Sequence, residues 1–373
     1  MNSLMGIILT EDKSKHLGAL TEKRAISAMP IGGRYRLIDF ILSNMVNSDI
    51  DQVGIATQYN YQSLMDHIGS GKAWDLNRKN HGLFILPPFV GRENSVSGNG
   101  DLDVLYGISN FIHRSSYDYV LLTNGSIMFN INFRDMLKSH IKTGADVTIM
   151  YNTEENATSE FLSRHTVIET DKDGFVTDMV KNHHNPKSRK VSMDTYIISR
   201  SLLINIIEDC ISHGEHDFVL DVLIKGLSRF KINSYEAKGF IGRVDTIESY
   251  YATNMKLLDS SVRREIFLSK NKIYTKVKDQ VPTHYGDGAV VSDSLIADGC
   301  KIEGRVENSI IFRGVQIEKG AVVKNSIIMQ NSIIQSNCYI ENAVLDKEVI
   351  VKAGKTLTGQ PSFPFVVPKT SII

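Results

Sequence analysis

The chain has 373 residues, which at ~150 residues per domain predicts two domains, or three. Hydrophobic residues make up 42% and charged ones 23%, and 42 basic side chains balance 42 acidic ones. Zero net charge without a basic block argues against nucleic-acid or membrane-surface partners. Three widely spaced cysteines, Cys210, Cys300 and Cys338, form no disulfide framework and no CxxC metal knuckle. The apolar run near the start stops at Glu11 and Asp12, too early for a signal-peptide core. No stretch of ~18 apolar residues follows, so a cytoplasmic location is expected.

In chain order, Met5-Gly6-Ile7-Ile8-Leu9 reads as a buried strand. Leu37, Phe40, Ile41, Asn44 and Met45 recur at helical spacing before a turn at Asn47-Ser48-Asp49. A strand at Val53–Ala56 and a helix at Tyr61–Ile68 follow. After a long loop come a helix at Asp103–Ile112, a strand at Tyr119–Leu122, a helix at Asn132–Lys142 and a strand at Asp146–Tyr151. Strands alternating with helices of this length predict parallel βαβ units and a sheet covered on both faces. The stretch from Val167 to Leu258 continues this α/β texture less regularly.

From His284 the pattern changes. Ile296 and Ile302 lie six residues apart, as do Ile311, Ile317 and Val323, and again Ile328, Ile334 and Ile340. An aliphatic at every sixth position, separated by Gly and polar residues, predicts a parallel β-helix whose coils stack one aliphatic core. The boundaries so read are 1–258 for the α/β domain, 259–283 for a linker and 284–373 for the β-helix.

The most distinctive run is Arg24-Ala25, then Pro30-Ile31-Gly32-Gly33-Arg34-Tyr35-Arg36-Leu37-Ile38-Asp39-Phe40, continuing Leu42-Ser43-Asn44. It closely resembles the "RAxPAxPxGGxYRxIDFxLSN" segment of the glucose-1-phosphate adenylyltransferase (ADP-glucose pyrophosphorylase) family of bacterial glycogen synthesis. The resemblance runs from the first strand to the β-helix. It implies a Rossmann-like nucleotidyltransferase domain followed by a left-handed β-helix. On its own terms the run needs no chemistry: Gly32 and Gly33 suit a tight turn of positive φ, and Asp39 caps a helix or pairs with Arg36.

Joining a nucleoside triphosphate to a sugar phosphate needs backbone amides around the phosphates, a cation on the α-phosphate and carboxylates on Mg²⁺. Set beside the family's motifs, this sequence departs at each requirement. The glycine-rich "GGxGxRL" loop is replaced by Glu11-Asp12-Lys13-Ser14-Lys15-His16-Leu17. A carboxylate ~4 Å from a phosphate charge costs about 4 kcal/mol at an effective dielectric of 20. His16 falls on the family's phosphate-binding arginine and Ile26 on the lysine of its "RAK". The metal carboxylate of "GDH" falls on Gly125, within Thr123-Asn124-Gly125-Ser126. The second, in "WxDVGT", falls on Arg243, with Asp245 two residues beyond.

Vestiges of the substrate site remain: Asp103 from "GTADAV", Lys181 and Asn182 beside the place of "EKP", and Ser192 from "SMG", where Asp194 replaces the glycine. No catalytic residue and no metal site is therefore expected, although the family uses Mg²⁺. Losing metal stabilisation of the phosphates costs several kcal/mol, or at least ~10³ in rate.

The sequence is most like the family's non-catalytic D-type subunits. The resemblance implies a regulatory chain that tunes a catalytic homologous subunit in a heterotetramer. The alternative is an active adenylyltransferase making ADP-glucose and pyrophosphate from ATP and glucose 1-phosphate, with His16 and Asp245 as replacements. A hexapeptide acyltransferase is disfavoured, because such enzymes use a histidine on the β-helix and none follows His284. The cluster Lys187, Arg189 and Lys190, or a pocket between the domains, is a candidate contact for a phosphorylated metabolite. His183-His184 and His213-Gly214-Glu215-His216 lack a third metal ligand. The apolar Phe363–Pro368 end of the β-helix is a candidate surface for assembly.

Overall fold

The computed structural model describes residues 3–10, 17–57, 60–87 and 100–373. A nine-stranded sheet organises the first two thirds of the chain. Its strands are β1 (Leu4–Leu9), β2 (Gln52–Ala56), β3 (Gly82–Leu86), β4 (Tyr119–Asn124), β5 (Val147–Thr153), β6 (Thr166–Thr170), β7 (Val176–Lys181), β8 (Lys190–Ser199) and β9 (Ile232–Glu236). The order is β7-β6-β8-β4-β1-β2-β3, with β5 also beside β8 and β9 beside β5.

The β3-β2-β1-β4 section is parallel throughout, as the alternating strands and helices predict. Both of its faces are buried. Met5, Ile7 and Leu9 enter one core with Leu105, Ile112 and Leu203, while Leu4 and Ile8 enter the other with Ile41, Met45 and Phe133. That period-two division is why β1 reads as an unbroken apolar run. The less regular stretch after Val167 is mixed: β8 runs against β4, β5 and β6, and β6 against β7, while β9 lies parallel to β5. The expected Asp103–Ile112 helix is two, Asp101–Gly107 and Ser109–Arg114. The break follows Gly107, whose helix propensity is about 1 kcal/mol poorer than alanine's.

The C-terminal part is the left-handed parallel β-helix, built from three parallel five-stranded sheets. Each prism face stacks one aliphatic ladder: Ile302, Ile317, Ile334 and Val351 on the first, and Val306, Val323, Ile340 and Leu357 on the second. Ile296, Ile311, Ile328, Leu345 and Val367 form the third. The sixes in the sequence are steps from one face to the next. The slips are the Val323-to-Ile328 and Ile340-to-Leu345 corners, one residue shorter, which turn at Asn325 and Asn342 with φ of +45° and +50°.

Residues 259–283 contain the helix Ser260–Phe267 and then a strap across helix Leu37–Asn47, with Tyr274 N donating to Ser43 Oγ at 2.8 Å. A third core joins the two folds: Leu20, Phe40, Tyr250 and Leu257 pack with Phe312, Ile327 and Met329 of the β-helix. The Gly32-Gly33 turn sits in this seam. A Cβ on Gly32, at φ +61°, would meet Leu257 Cδ1 at 2.9 Å, so glycine is needed for shape. Asp39 caps helix Leu37–Asn47 through the Arg36 amide at 3.0 Å and also holds His67.

Candidate functional site

Strands β1 and β4 end side by side, at Leu9 and Asn124, where the connections leave in different directions. Open α/β sheets bind ligands at such strand ends. Two adjoining depressions lie there. The smaller is bordered by Thr10, Ile26, Ser27, Gly125 and Asp245. The larger, a cavity of about 300 Å³, is lined by residues from β4, β7, β8 and the segments beside them.

Structure assigns the sequence-predicted positions to three groups. The first has no catalytic side chain to offer. Ile26 is buried in a single 3₁₀ turn, Ile26–Ala28, and packs into the interdomain core. Gly125 lies against Ser27: a Cβ there would stand 2.7 Å from Ser27 Cβ, so a carboxylate at this position requires the turn to move. His16 and the rest of the Glu11–His16 loop lie outside the described residues.

The second group is buried and structural. Arg243 is turned into the protein, donating to the Asn152 side chain and, at 3.3 Å, to the Val191 carbonyl. Burial pulls its pKa down, against the raising influence of Asp194, Glu154 and Asp245. Asp103 caps its helix through the Gly100 amide at 3.2 Å and meets His216 Nδ1 at 2.8 Å. Ser192 accepts from the Asp194 amide at 3.0 Å.

The third group, Lys181 and Asn182, reaches the cavity, and there they meet Asp194, which stands in place of a motif glycine, and residues that motif comparison did not single out. Lys181 Nζ is 2.6 Å from Asp217 Oδ2. Arg164 reaches Asp245 at 3.3 Å and Glu160 at 3.0 Å. Asp194 enters from β8 at a slip in the β5–β8 ladder between Ser192 and Tyr196, with φ of +46°. Such a bulge re-aims a side chain. Asp194 and Tyr196 come from β8, Arg164 from the end of helix Ser159–Ser163, and Asp217 from the N-cap of a π-helical turn, Phe218–Ile224. The only signal in the sequence was Asp194 in place of a glycine.

These residues do not fit Mg²⁺. Among the described residues no group of three His, Cys, Asp or Glu side chains is placed to hold a metal ion. Asp245, which does border the smaller depression, faces Arg164 at 3.3 Å and His165 at 3.7 Å. The loop cluster Lys187, Arg189 and Lys190 does not converge either, since Lys190 turns to Thr170 and lies 5.4 Å from the Tyr151 ring centre.

Cations converge instead between the domains. Arg24, nearly inaccessible, bonds Asp346 of the β-helix at 2.8 Å. Lys347 is pushed down to about 7 by burial and by the neighbouring Arg36 and Arg24. Lys278 is lowered as well, by burial and then by Arg36, Lys276 and Arg313.

Comparison with known proteins agrees with this architecture. A nucleotidyl transferase family model matches residues 5–260, and a GlmU-like C-terminal hexapeptide model matches residues 278–361. The chain is 36% identical to a glucose-1-phosphate adenylyltransferase of Geobacillus stearothermophilus over 322 residues, 86% of this chain and 82% of that one. It belongs to the glucose-1-phosphate adenylyltransferase family. Within that family it is 38% identical to the glycogen biosynthesis protein GlgD of Bacillus subtilis over 372 residues, covering 99% of this chain and 96% of the relative. It is 40% identical to GlgD of Geobacillus stearothermophilus over 326 residues, 86% and 83% of the two chains. No helix among the described residues is long and apolar enough to cross a membrane.

Proposed function

We propose that this chain is a catalytically impaired, regulatory subunit of ADP-glucose pyrophosphorylase in bacterial glycogen biosynthesis, assembled with a catalytic homologue. The observation that carries this reading is Gly125 packed on Ser27, where the family's metal carboxylate would stand. Phosphoryl transfer relies on positioning and charge stabilisation; among the described residues no group of acids is placed to hold a metal ion, and Lys181 is already paired with Asp217. Both the nucleotidyl transferase part and the hexapeptide part are nonetheless present, which suits a chain kept for assembly and control.

The basic seam formed by Arg24, Arg36, Lys278, Arg313 and Lys347 supports an effector role. Lys278 and Lys347, whose protonated forms burial and the neighbouring cations disfavour, gain from a bound anion, so a phosphorylated metabolite is the matching effector. Its contact with both domains would let binding alter their packing. A heterotetramer is the assembly proposed, with coupling to the partner of ~1–3 kcal/mol.

The test is turnover. Purified chain with ATP, Mg²⁺ and glucose 1-phosphate is expected to run at least ~10³-fold below an intact family member. Mixed with the catalytic homologue, it is expected to co-elute and to shift that enzyme's KM or kcat. Full turnover by the isolated chain, or no co-elution and no kinetic change, refutes the proposal.

A further inference from the structure

The aliphatic ladders of the β-helix finish differently at its two ends. In the first coil Tyr285, Val291 and Ile296 hold the ladder positions, stacked on Ile302, Val306 and Ile311. Those second-coil residues are inaccessible, whereas Tyr285 is 50% and Val291 37% exposed. Their strands stand at the ends of the three sheets, with no described strand beyond them. Val281, on the strap entering this coil, is exposed as well. At the far end Val351, Leu357 and Val367 are buried. Residues 371–373 add to that end, where Ile350 N donates to Ser371 O and Lys352 N to Ile373 O, both at 2.9 Å.

The backbone of the first coil is open too. His284 N and Gly286 N donate to Cys300 O and Ile302 O at 2.9 and 2.8 Å, so the Tyr285 amide and carbonyl face the other way. Val290 N bonds Gly304 O, while Leu295 N and Ala297 N bond Ser309 O and Ile311 O. Val291 and Ile296 are thereby left facing outward like Tyr285. Open strand edges beside uncovered aliphatic side chains are a template for further strands. A single extended peptide would cover one edge of this triangle. All three are matched together by the end of another β-helix. Because the far end keeps its ladders covered, two chains meeting open end to open end form a closed pair rather than a fibre.

Charge decides which chain that is. Residues 284–299 include Asp287, Asp293 and Asp298 but no lysine or arginine. Asp298 is taken by Arg313 at 3.1 Å, while Asp287 and Asp293 stand exposed at two corners of the coil. Lys301 and Arg305 of the next coil are paired with Glu303 and Glu307. A second copy would bring the same acids to the contact and no cation of its own coil to answer them. We propose that the uncovered first coil is the face through which this chain docks onto the open β-helix end of a homologous chain with a lysine- or arginine-bearing rim, in preference to a second copy of itself. This rests on the assembly part of the function proposed above, and adds the face used and the charge of the partner.

Sedimentation velocity of the full chain, alone and mixed with the purified catalytic homologue, tests it at about 50 and 500 mM NaCl. A mixed complex that weakens with salt is expected. Val291→Asp should weaken it at least about tenfold, and so should Asp287→Lys combined with Asp293→Lys, which also removes the salt dependence. The paired lysine variant changes only exposed corner residues, so its thermal unfolding should match that of the unaltered chain. Phe363→Ser, at the far end of the domain, should leave the complex intact. A mixed complex insensitive to the Val291 and aspartate variants, or one dissociated by Phe363→Ser instead, overturns this docking face while the assembly reading stands. A self-complex of the unaltered chain that Val291→Asp dissociates overturns the preference for a different partner. No mixed complex at either salt concentration removes both the docking face and the assembly reading.

Discussion

Asp217 divides its carboxylate between two tasks, one oxygen on the Val219 and Leu220 amides and the other on Lys181. A lysine that motif comparison marks as a vestige of substrate binding thus becomes part of the scaffold. Other single residues set solution behaviour. His140 is buried, meets Thr148 Oγ1 at 2.9 Å, and lies edge-on to Tyr119. Burial pushes its pKa down to about 4, against a weaker raising effect of Asp146. Because the unfolded chain binds this proton first, stability is unaffected above the ordinary histidine value of about 6.5 and falls as pH drops from there to about 4, by about 3 kcal/mol in all. Urea unfolding at pH 7.5 and 4.5 checks this, and His140→Asn should lose that share of the pH dependence. At this scale Ile26, Gly125 and Arg243 could be picked out from motif spacing, because a missing residue type is visible in the chain itself. Arg164 and Asp217 could not, since nothing local marks which residues of a distant turn will face a cavity.

The β-helix is the element most completely written in its own sequence. Its sixfold aliphatic spacing follows from a repeating coil, in which each residue's surroundings are set by its equivalents one coil above and below. The corners add a second requirement. Asn325 turns at φ +45°, accepts from Asn308 Nδ2 at 2.7 Å through its side chain, and offers its carbonyl to Tyr251 OH at 2.5 Å. Asn325→Ala should cost about 2 kcal/mol, from the left-handed backbone and the lost side-chain bond together. Asn325→Gly should cost about half as much, because only the bond is lost. Thermal unfolding of the two variants separates these terms. The α/β half was legible where strands are parallel and buried on both faces, as at Leu4–Leu9. It was less so at β8, which at its start lies between β5 and β6 and further on between β4 and β5, a partnership its sequence does not encode.

At the scale of the molecule, the two folds are one packed unit along the seam that holds Phe40, Tyr250, Phe312 and Met329. Arg24 and Asp346 cross this seam as an ion pair with side-chain exposures of 3% and 1%. Removing one partner leaves a buried charge, so Arg24→Ala should destabilise the chain by about 3–5 kcal/mol. Arg24→Met combined with Asp346→Asn should recover much of that loss, as read by urea unfolding. Such a result would also show that the domains unfold together, through a contact between residues 322 positions apart.

Repeat, strand alternation and motif losses were determined by the sequence alone, because each depends on neighbours in the chain or on residue type. Tertiary structure decided where the charges meet: Lys181 with Asp217, Arg24 with Asp346, and Arg243 buried on the Asn152 side chain. Electrostatic pairing depends on distances of a few ångströms between segments far apart in sequence, and only folding sets those distances.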